Sequence, residues 1–168
     1  HMKDYDITLK EHVRVDNIEK GNIKTLTLSS GEQIKTRSLI VATGARWREL
    51  GVPGEKENVG NGVAYCPHCD GPLFKGKPVA VIGGGNSGIE AAIDLANIVE
   101  HVTVLEFADT LRADEVLIRK ANSLNNITII KNAQTTEVVG DGKRVTGLSY
   151  IDRISGDEKS LELAGIFV

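Results

Sequence analysis

Two motifs able to do chemistry share the stretch from residue 64 to 96: Cys66-Pro67-His68-Cys69-Asp70 and Gly83-Gly84-Gly85-Asn86-Ser87-Gly88. Two residues between the cysteines let the sulfurs bridge within one turn, and such pairs can hold one thiolate pKa near ~7 or below. Asp70 could carry a proton, because opening a disulfide consumes protons as well as electrons. An ordinary solvated turn aspartate accounts for it equally well. His68 could stabilise a neighbouring thiolate or only shape the turn. The chain has 2 cysteines, too few for a disulfide framework, so a redox pair, half of a metal site and coincidence remain. A metal site would have to recruit His12, His68 or His101, none of which adds a second metal-like spacing, so no metal is expected.

The glycine run has the Gly-x-Gly-x-x-Gly spacing of a dinucleotide loop, and it follows an apolar run and opens a helical pattern. In such a loop Gly83 permits the tight turn, Gly85 lets a pyrophosphate approach the backbone, and Gly88 lets helix and strand pack closely. Asn86 and Ser87 begin the helix, whose free N–H groups and dipole favour an anion. A glycine-rich turn without a ligand is the plainer alternative. Glu106 lies 23 residues after Gly83, where an acid would accept hydrogen bonds from the adenosine ribose and repel a 2′-phosphate. NADH is therefore expected over NADPH, although Glu106 also fits an ordinary strand-end carboxylate and Arg112 stands six residues on.

The elements that must position these residues follow from hydrophobic rhythm. Residues 11–42 read as a small antiparallel meander, "HVRVDNIE" and "IKTLTL", feeding a buried strand "SLIVATG". Residues 44–62 are rich in glycine and charge and read as a connection. From Lys77, "PVAVI", "NSGIEAAIDLANIVE", "HVTVLE", "ADEVLIRKANSLN" and "ITII" predict βαβαβ, with Ile89, Ala92, Ile93 and Ala96 on one helical face. The tail predicts three alternating strands split by turns at Asp141-Gly142 and Ser155-Gly156-Asp157, then an apolar run "LAGIFV". The fold class is α/β.

Composition narrows the function classes. The 168 residues are 40% hydrophobic and 26% charged, with a net charge of −3 and the signs interspersed. Neither nucleic acid nor an anionic membrane is an expected partner. No apolar run approaches the ~20 residues of a membrane span, and no signal-like segment opens the chain, so the cytoplasm is expected. A thioredoxin-like domain would place its cysteine pair at the start of a long helix, and Gly71-Pro72 breaks the run here.

The block "CPHCDGPLFKGKPVAVIGGGNSGIEAAIDLA", with "SLIVATGARWRELGVPGE" and "LAGIFV", closely resembles the low-molecular-weight thioredoxin reductase family. Within it, the chain is most similar to the flavoprotein subunits of bacterial alkyl hydroperoxide reductases. The resemblance implies a pyridine nucleotide-disulfide oxidoreductase in which NADH reduces FAD, FAD reduces the Cys66–Cys69 disulfide, and the dithiol passes electrons on. Their destination would be an N-terminal thioredoxin-like domain and then a peroxiredoxin partner, and the whole parent protein would be a homodimer. The resemblance further implies that Cys69 meets the flavin, that Cys66 attacks the next disulfide, that Asp70 is the acid-base residue, and that Thr43 and Gly44 lie near FAD with Trp47 just beyond.

Such enzymes carry two glycine-rich dinucleotide motifs, and this chain carries one. The expected architecture is therefore a Rossmann-like NADH-binding domain with a β-meander, residues 62–157, flanked by partial pieces of a split FAD-binding domain at 3–61 and 158–168. Hinges are expected at 51–62 and around Gly156. As a fragment of this kind the chain would bind NADH, retain little FAD and turn over poorly. A thioredoxin reductase using NADPH and a nucleotide-binding module without turnover are the alternatives; "LEFADTLRAD" holds only Arg112 where NADPH would want a basic cluster.

Overall fold

The computed structural model describes residues 4–44 and 46–168, which divide into two units after Arg46. Lys3, the expected start of the first segment, lies outside the described residues. In the first unit, strands β1 (Val15–Glu19), β2 (Lys24–Leu28) and β3 (Gln33–Thr36) form an antiparallel sheet in that order. Ile18, Leu26 and Ile34 lie opposite one another across it, and Leu26 and Leu28 are buried. The positive φ of Gly31, 84°, allows the turn between β2 and β3.

The second unit is layered. A parallel sheet takes the order β4-β11-β5-β6-β7, built from β4 (Val63–Ala64), β5 (Pro78–Ile82), β6 (His101–Leu105), β7 (Ile127–Ile130) and β11 (Gly165–Phe167). Helices α2 (Asn86–Ala96) and α3 (Glu115–Asn122) cover one face. The other face packs on an antiparallel meander of β8 (Ala133–Gly140), β9 (Val145–Asp152) and β10 (Glu158–Glu162).

Alternation along β5 explains the layering. Val79 and Val81 pack with Ile89, Ala92 and Leu95 of α2, whereas Ala80 packs with Leu148, Val138 and Ile166 toward the meander. A strand covered on both faces reads as a continuous apolar run, which is why "PVAVI" is one. Each fully buried valine or isoleucine contributes about 1.5–3 kcal/mol. The buried face of α2 is centred on Ile89, Ala92 and Leu95, each 0% exposed, while Ile93 and Ala96 lie at its margin.

Three expectations change. "SLIVATG" forms no strand: β3 ends at Thr36, the residues after it pair with no neighbour among those described, and Ile40 and Val41 are 90% and 67% exposed. An apolar run becomes a buried strand only where another strand takes up its backbone groups. Residues 51–62, expected as a hinge, are tied to the meander of the second unit. Val138 N–H donates to the Pro53 carbonyl (2.9 Å), Val145 N–H to that of Asn61 (2.9 Å), and a side chain on Gly54 would strike the Val138 carbonyl.

The tail also packs elsewhere than expected. Glu158–Glu162 extends the meander beside β9, and Gly165–Phe167 lies between β4 and β5, so 158–168 is part of the sheets of the second unit. Gly156, with φ 80°, makes the β9–β10 hairpin turn, its N–H donating to the Asp152 carbonyl at 2.7 Å. The apolar character of "LAGIFV" reflects burial in the middle of this sheet, where Ile166 and Phe167 are 0% and 2% exposed.

Candidate functional site

Edge strand β4 delivers the cysteine pair. Cys66 caps helix α1 (Pro67–Asp70), with extended backbone, Pro67 at the first turn and its sulfur accepting the Cys69 N–H at 3.2 Å. Proline suits that position because its missing N–H would have no partner there. Cys66 and Cys69 are joined in a disulfide with Cα atoms 5.3 Å apart. The helix stops after four residues and continues as a 3₁₀ turn, Gly71–Phe74. Gly71 packs against Leu95 of α2, where a side chain would come within 3.0 Å of it. His68 Nε2 lies 3.6 Å from Asp94 Oδ2, an exposed pair that adds little to stability.

Cys66 and Asp70 border a cavity of about 260 Å³ whose other walls include Trp47, Tyr65, Leu73 and Phe74. Within that lining Trp47 stacks on Tyr65 with ring centroids 6.1 Å apart. Glu55, 0% exposed, organises this wall. Its carboxylate accepts the N–H groups of Leu50 (2.9 Å) and Gly51 (2.7 Å) and the Tyr65 hydroxyl (3.3 Å). Burial first, and then the charge of Glu55, raise the Tyr65 phenol above its ordinary value of 10.0, so it stays a donor at neutral pH. A larger depression of about 700 Å³ on the first unit, lined by Ile23, Lys35, Thr36, Arg37 and Ser38, holds none of the candidate residues.

The glycine loop joins β5 to α2. Gly83 has φ 113°, a conformation side chains resist, and its N–H donates to the Leu105 carbonyl at 2.9 Å. A side chain at Gly88 would lie 2.0 Å from the Gly83 carbonyl oxygen, so helix and turn are in direct backbone contact. A side chain at Gly85 would meet nothing of the protein within 4 Å. Open space at that glycine, at the first turn of an 11-residue helix, fits the approach of a phosphate. Asn86 exchanges two hydrogen bonds with Asp114, 3.1 and 2.7 Å, which tie the helix start to the residue before α3. Ser87 is exposed beside it.

Glu106 stands at the end of β6 with Oε2 accepting the Gly84 N–H at 2.6 Å and Oε1 the Ala108 N–H at 2.8 Å. A carboxylate has further lone pairs free for ribose hydroxyls. Arg112 is exposed, and its backbone N–H is bound to the Gly84 carbonyl (2.9 Å).

Cys66, Cys69 and Asp70 thus form one cluster, and Gly83–Gly88 with Glu106 another, both on the second unit. The glycine loop does not line the cavity beside Cys66. Thr43 and Gly44 are exposed residues of the first unit. Glu55 and Tyr65 were not singled out from the sequence, because a buried carboxylate in "VPGEKENVGNG" looks like any other loop charge. Among the described residues no group of three or more His, Cys, Asp and Glu is placed to hold a metal, and no helix is long and apolar enough to cross a membrane.

Residues 2–168 match the family model described as pyridine nucleotide-disulphide oxidoreductase. The chain is 58% identical over 168 residues to a protein named NADH dehydrogenase in Bacillus subtilis, and 58% identical over 172 residues to a component of the alkyl hydroperoxide reductase of Escherichia coli. Both alignments take in 100% of this chain and 33% of the relative, so the chain spans about a third of their length. Among solved structures, thioredoxin reductase from T. acidophilum superposes with TM-score 0.74 at 42% identity, covering 94% of this chain and 52% of that one. Thioredoxin reductase from Giardia duodenalis does so with TM-score 0.79 at 31% identity, covering 92% and 51%. The match to the family model over nearly every residue shows that the chain belongs to the pyridine nucleotide-disulphide oxidoreductase family.

Proposed function

We propose that the chain is the nucleotide- and disulfide-bearing part of a cytoplasmic NADH-dependent flavoprotein that reduces a peroxiredoxin partner. The observation that carries this reading is the joint presence, on one unit, of a Cys66–Cys69 disulfide bordering a cavity with Asp70 and of a glycine loop open at Gly85. Its relatives, named as a component of alkyl hydroperoxide reductase and as NADH dehydrogenase, support the same assignment.

In this reading Gly83–Gly88 and the first turn of α2 bind the pyrophosphate of NADH, and Glu106 orients the adenosine ribose. Bound nucleotide and FAD supply the hydride chemistry that ends as two electrons. Cys66–Cys69 accepts those electrons together with two protons and opens to a dithiol, and Asp70 moves one of the protons at the sulfur. Cys69 would be the sulfur facing the flavin when that cofactor is bound. The Cys66 thiolate then attacks the next disulfide, that of a thioredoxin-like domain, forming a mixed disulfide which Cys69 resolves. Thr43 and Gly44 would lie near FAD in a full-length homodimer.

Titration of the chain with NADH and NADPH, with flavin read from visible absorbance, tests the assignment. NADH should bind more tightly than NADPH, and little flavin should co-purify. Equal affinities would remove the role of Glu106, and stoichiometric flavin would overturn the partial-flavin-site reading. In the full-length protein, Cys66→Ser should stop reduction of the downstream disulfide while flavin reduction by NADH continues; undiminished peroxidase-coupled turnover would end the relay. A thioredoxin reductase would instead prefer NADPH and reduce thioredoxin directly.

A further inference from the structure

We propose that Arg153, held over the ring of Phe107, is the seat for the adenine ring of the nucleotide. Phe107 directly follows Glu106 and is 53% exposed. The Arg153 guanidinium carbon lies 3.8 Å above the ring centroid, and Nη1 donates to the Phe107 carbonyl at 2.8 Å. The backbone adds further ties. Arg153 N–H donates to the Asn132 carbonyl (2.8 Å), Asn132 N–H to that of Ala108 (2.9 Å), and Ala133 N–H to that of Glu106 (2.9 Å). A residue from the β9–β10 hairpin is thereby fixed onto the loop that leaves β6.

The Phe107 ring lies against the guanidinium on one side, and Arg153 as a whole is exposed. A planar cation presented in this way stacks on flat heteroaromatic rings, as an ammonium cannot. Position selects the ring. The proposal rests on the nucleotide reading above, in which the Glu106 carboxylate holds the adenosine ribose. Adenine is bonded to that ribose, so it falls beside the next residue along, which is Phe107 with Arg153 upon it. Phe107, guanidinium and adenine then form a three-layer stack. The geometry points to stacking rather than to reading a 2′-phosphate, since Nη1 is already engaged by a carbonyl and the Glu106 carboxylate sits one residue away.

Calorimetric titration with ADP-ribose, 2′-phospho-ADP-ribose and NADH tests this on unsubstituted chain, Arg153→Ala, Arg153→Lys and Phe107→Leu. Arg153→Lys keeps the positive charge and a donor for the Phe107 carbonyl, and thermal melts verify that each variant is folded. Arg153→Ala and Arg153→Lys should each weaken ADP-ribose and NADH by about five- to tenfold, and Phe107→Leu by a similar factor. Wild-type affinity in Arg153→Lys would show that charge and not the plane matters, and would overturn the proposal. A loss confined to 2′-phospho-ADP-ribose would overturn it in favour of a phosphate contact. Failure of the unsubstituted chain to bind ADP-ribose would overturn the nucleotide reading and this one with it. Binding by the unsubstituted chain that is unchanged in all three variants would overturn the adenine seat alone.

Discussion

Gly85 and Gly88 share a loop and should respond in opposite ways to the same added methyl group. In Gly88→Ala the new Cβ would stand 2.0 Å from the carbonyl oxygen of Gly83, a backbone atom that no rotamer change can move aside. Helix α2 and the turn must separate, and overpacking of this kind costs about 1–3 kcal/mol. Alanine recovers part of that, up to about 1 kcal/mol, through its helix propensity. Because the obstructing atom is backbone, the upper part of the cost range applies, about 2–3 kcal/mol, and the net loss of about 1–2 kcal/mol corresponds to a melting temperature lower by roughly 3–10 °C for a unit of this size.

In Gly85→Ala the Cβ meets nothing within 4 Å, and the backbone, φ −84° and ψ −178°, is one alanine adopts freely. Alanine is the poorer N-cap, so stability should fall by only roughly 0.5–1 kcal/mol, with no clash to add to it. The same methyl group occupies the space through which a pyrophosphate would reach the backbone, so NADH affinity should fall at least about tenfold, 1.4 kcal/mol. Differential scanning fluorimetry and NADH titration on the two variants separate these effects. Gly88→Ala melting with the unsubstituted chain would refute the close helix-turn packing. Gly85→Ala binding NADH undiminished would refute the placement of the phosphates.

Other perturbations probe the surroundings of the disulfide and the meander. Glu55→Gln weakens the acceptors that hold Leu50 N–H, Gly51 N–H and the Tyr65 hydroxyl, and should cost about 1–3 kcal/mol in chemical denaturation, with a shift in the emission of Trp47 as its stack on Tyr65 loosens. Tyr65→Phe removes one donor and keeps the ring, so a smaller cost of about 0.5–1.5 kcal/mol and unchanged Trp47 emission are expected. At the β8–β9 turn, backbone N–H groups of Lys143 and then Arg144 hold the Asp141 carboxyl below its ordinary 3.8. A lowered folded-state value means that the stabilisation is present in full above pH 3.8 and is lost as pH falls through the lower folded value. Asp141→Asn should therefore melt lower than the unsubstituted chain at neutral pH, with the gap closing in acid; a constant gap would remove the carboxylate from the account.

The parallel core was legible because its pattern is local. "PVAVI", "HVTVL" and "ITII" are short apolar runs bounded by glycine, charge and helical rhythm, and each became a strand of the parallel sheet. "SLIVATG" has the same character and became no strand, since the run records a demand for neighbours without supplying them. "LAGIFV" misled in the other direction. Its apolar density matched a strand leaving for another domain, yet Ile166 sits opposite Ala80 on one side and Val63 on the other. Which strand a buried run inserts beside is settled by sterics across the sheet. A side chain at Gly165, for instance, would collide with the ring of Phe74.

The same distinction divides the candidate site. Residues proposed to do chemistry announce themselves through short spacings: two cysteines must lie within one turn to bridge, and glycines must fall at fixed steps for a strand to turn into a helix around a phosphate. Residues that position them carry no such signature, because their partners are distant in the chain. Asn86 meets Asp114 28 residues on, Gly84 meets Glu106 after 22, and Arg153 reaches back 46 to Phe107. Glu55 is the sharpest case. Its sequence neighbours make it one charge among several in a glycine-rich stretch, and only the folded chain brings Leu50, Gly51 and Tyr65 onto its two oxygens. A buried carboxylate holding the residue next to Cys66 has a positioning role that follows from three-dimensional packing, and no spacing rule along the chain would reveal it.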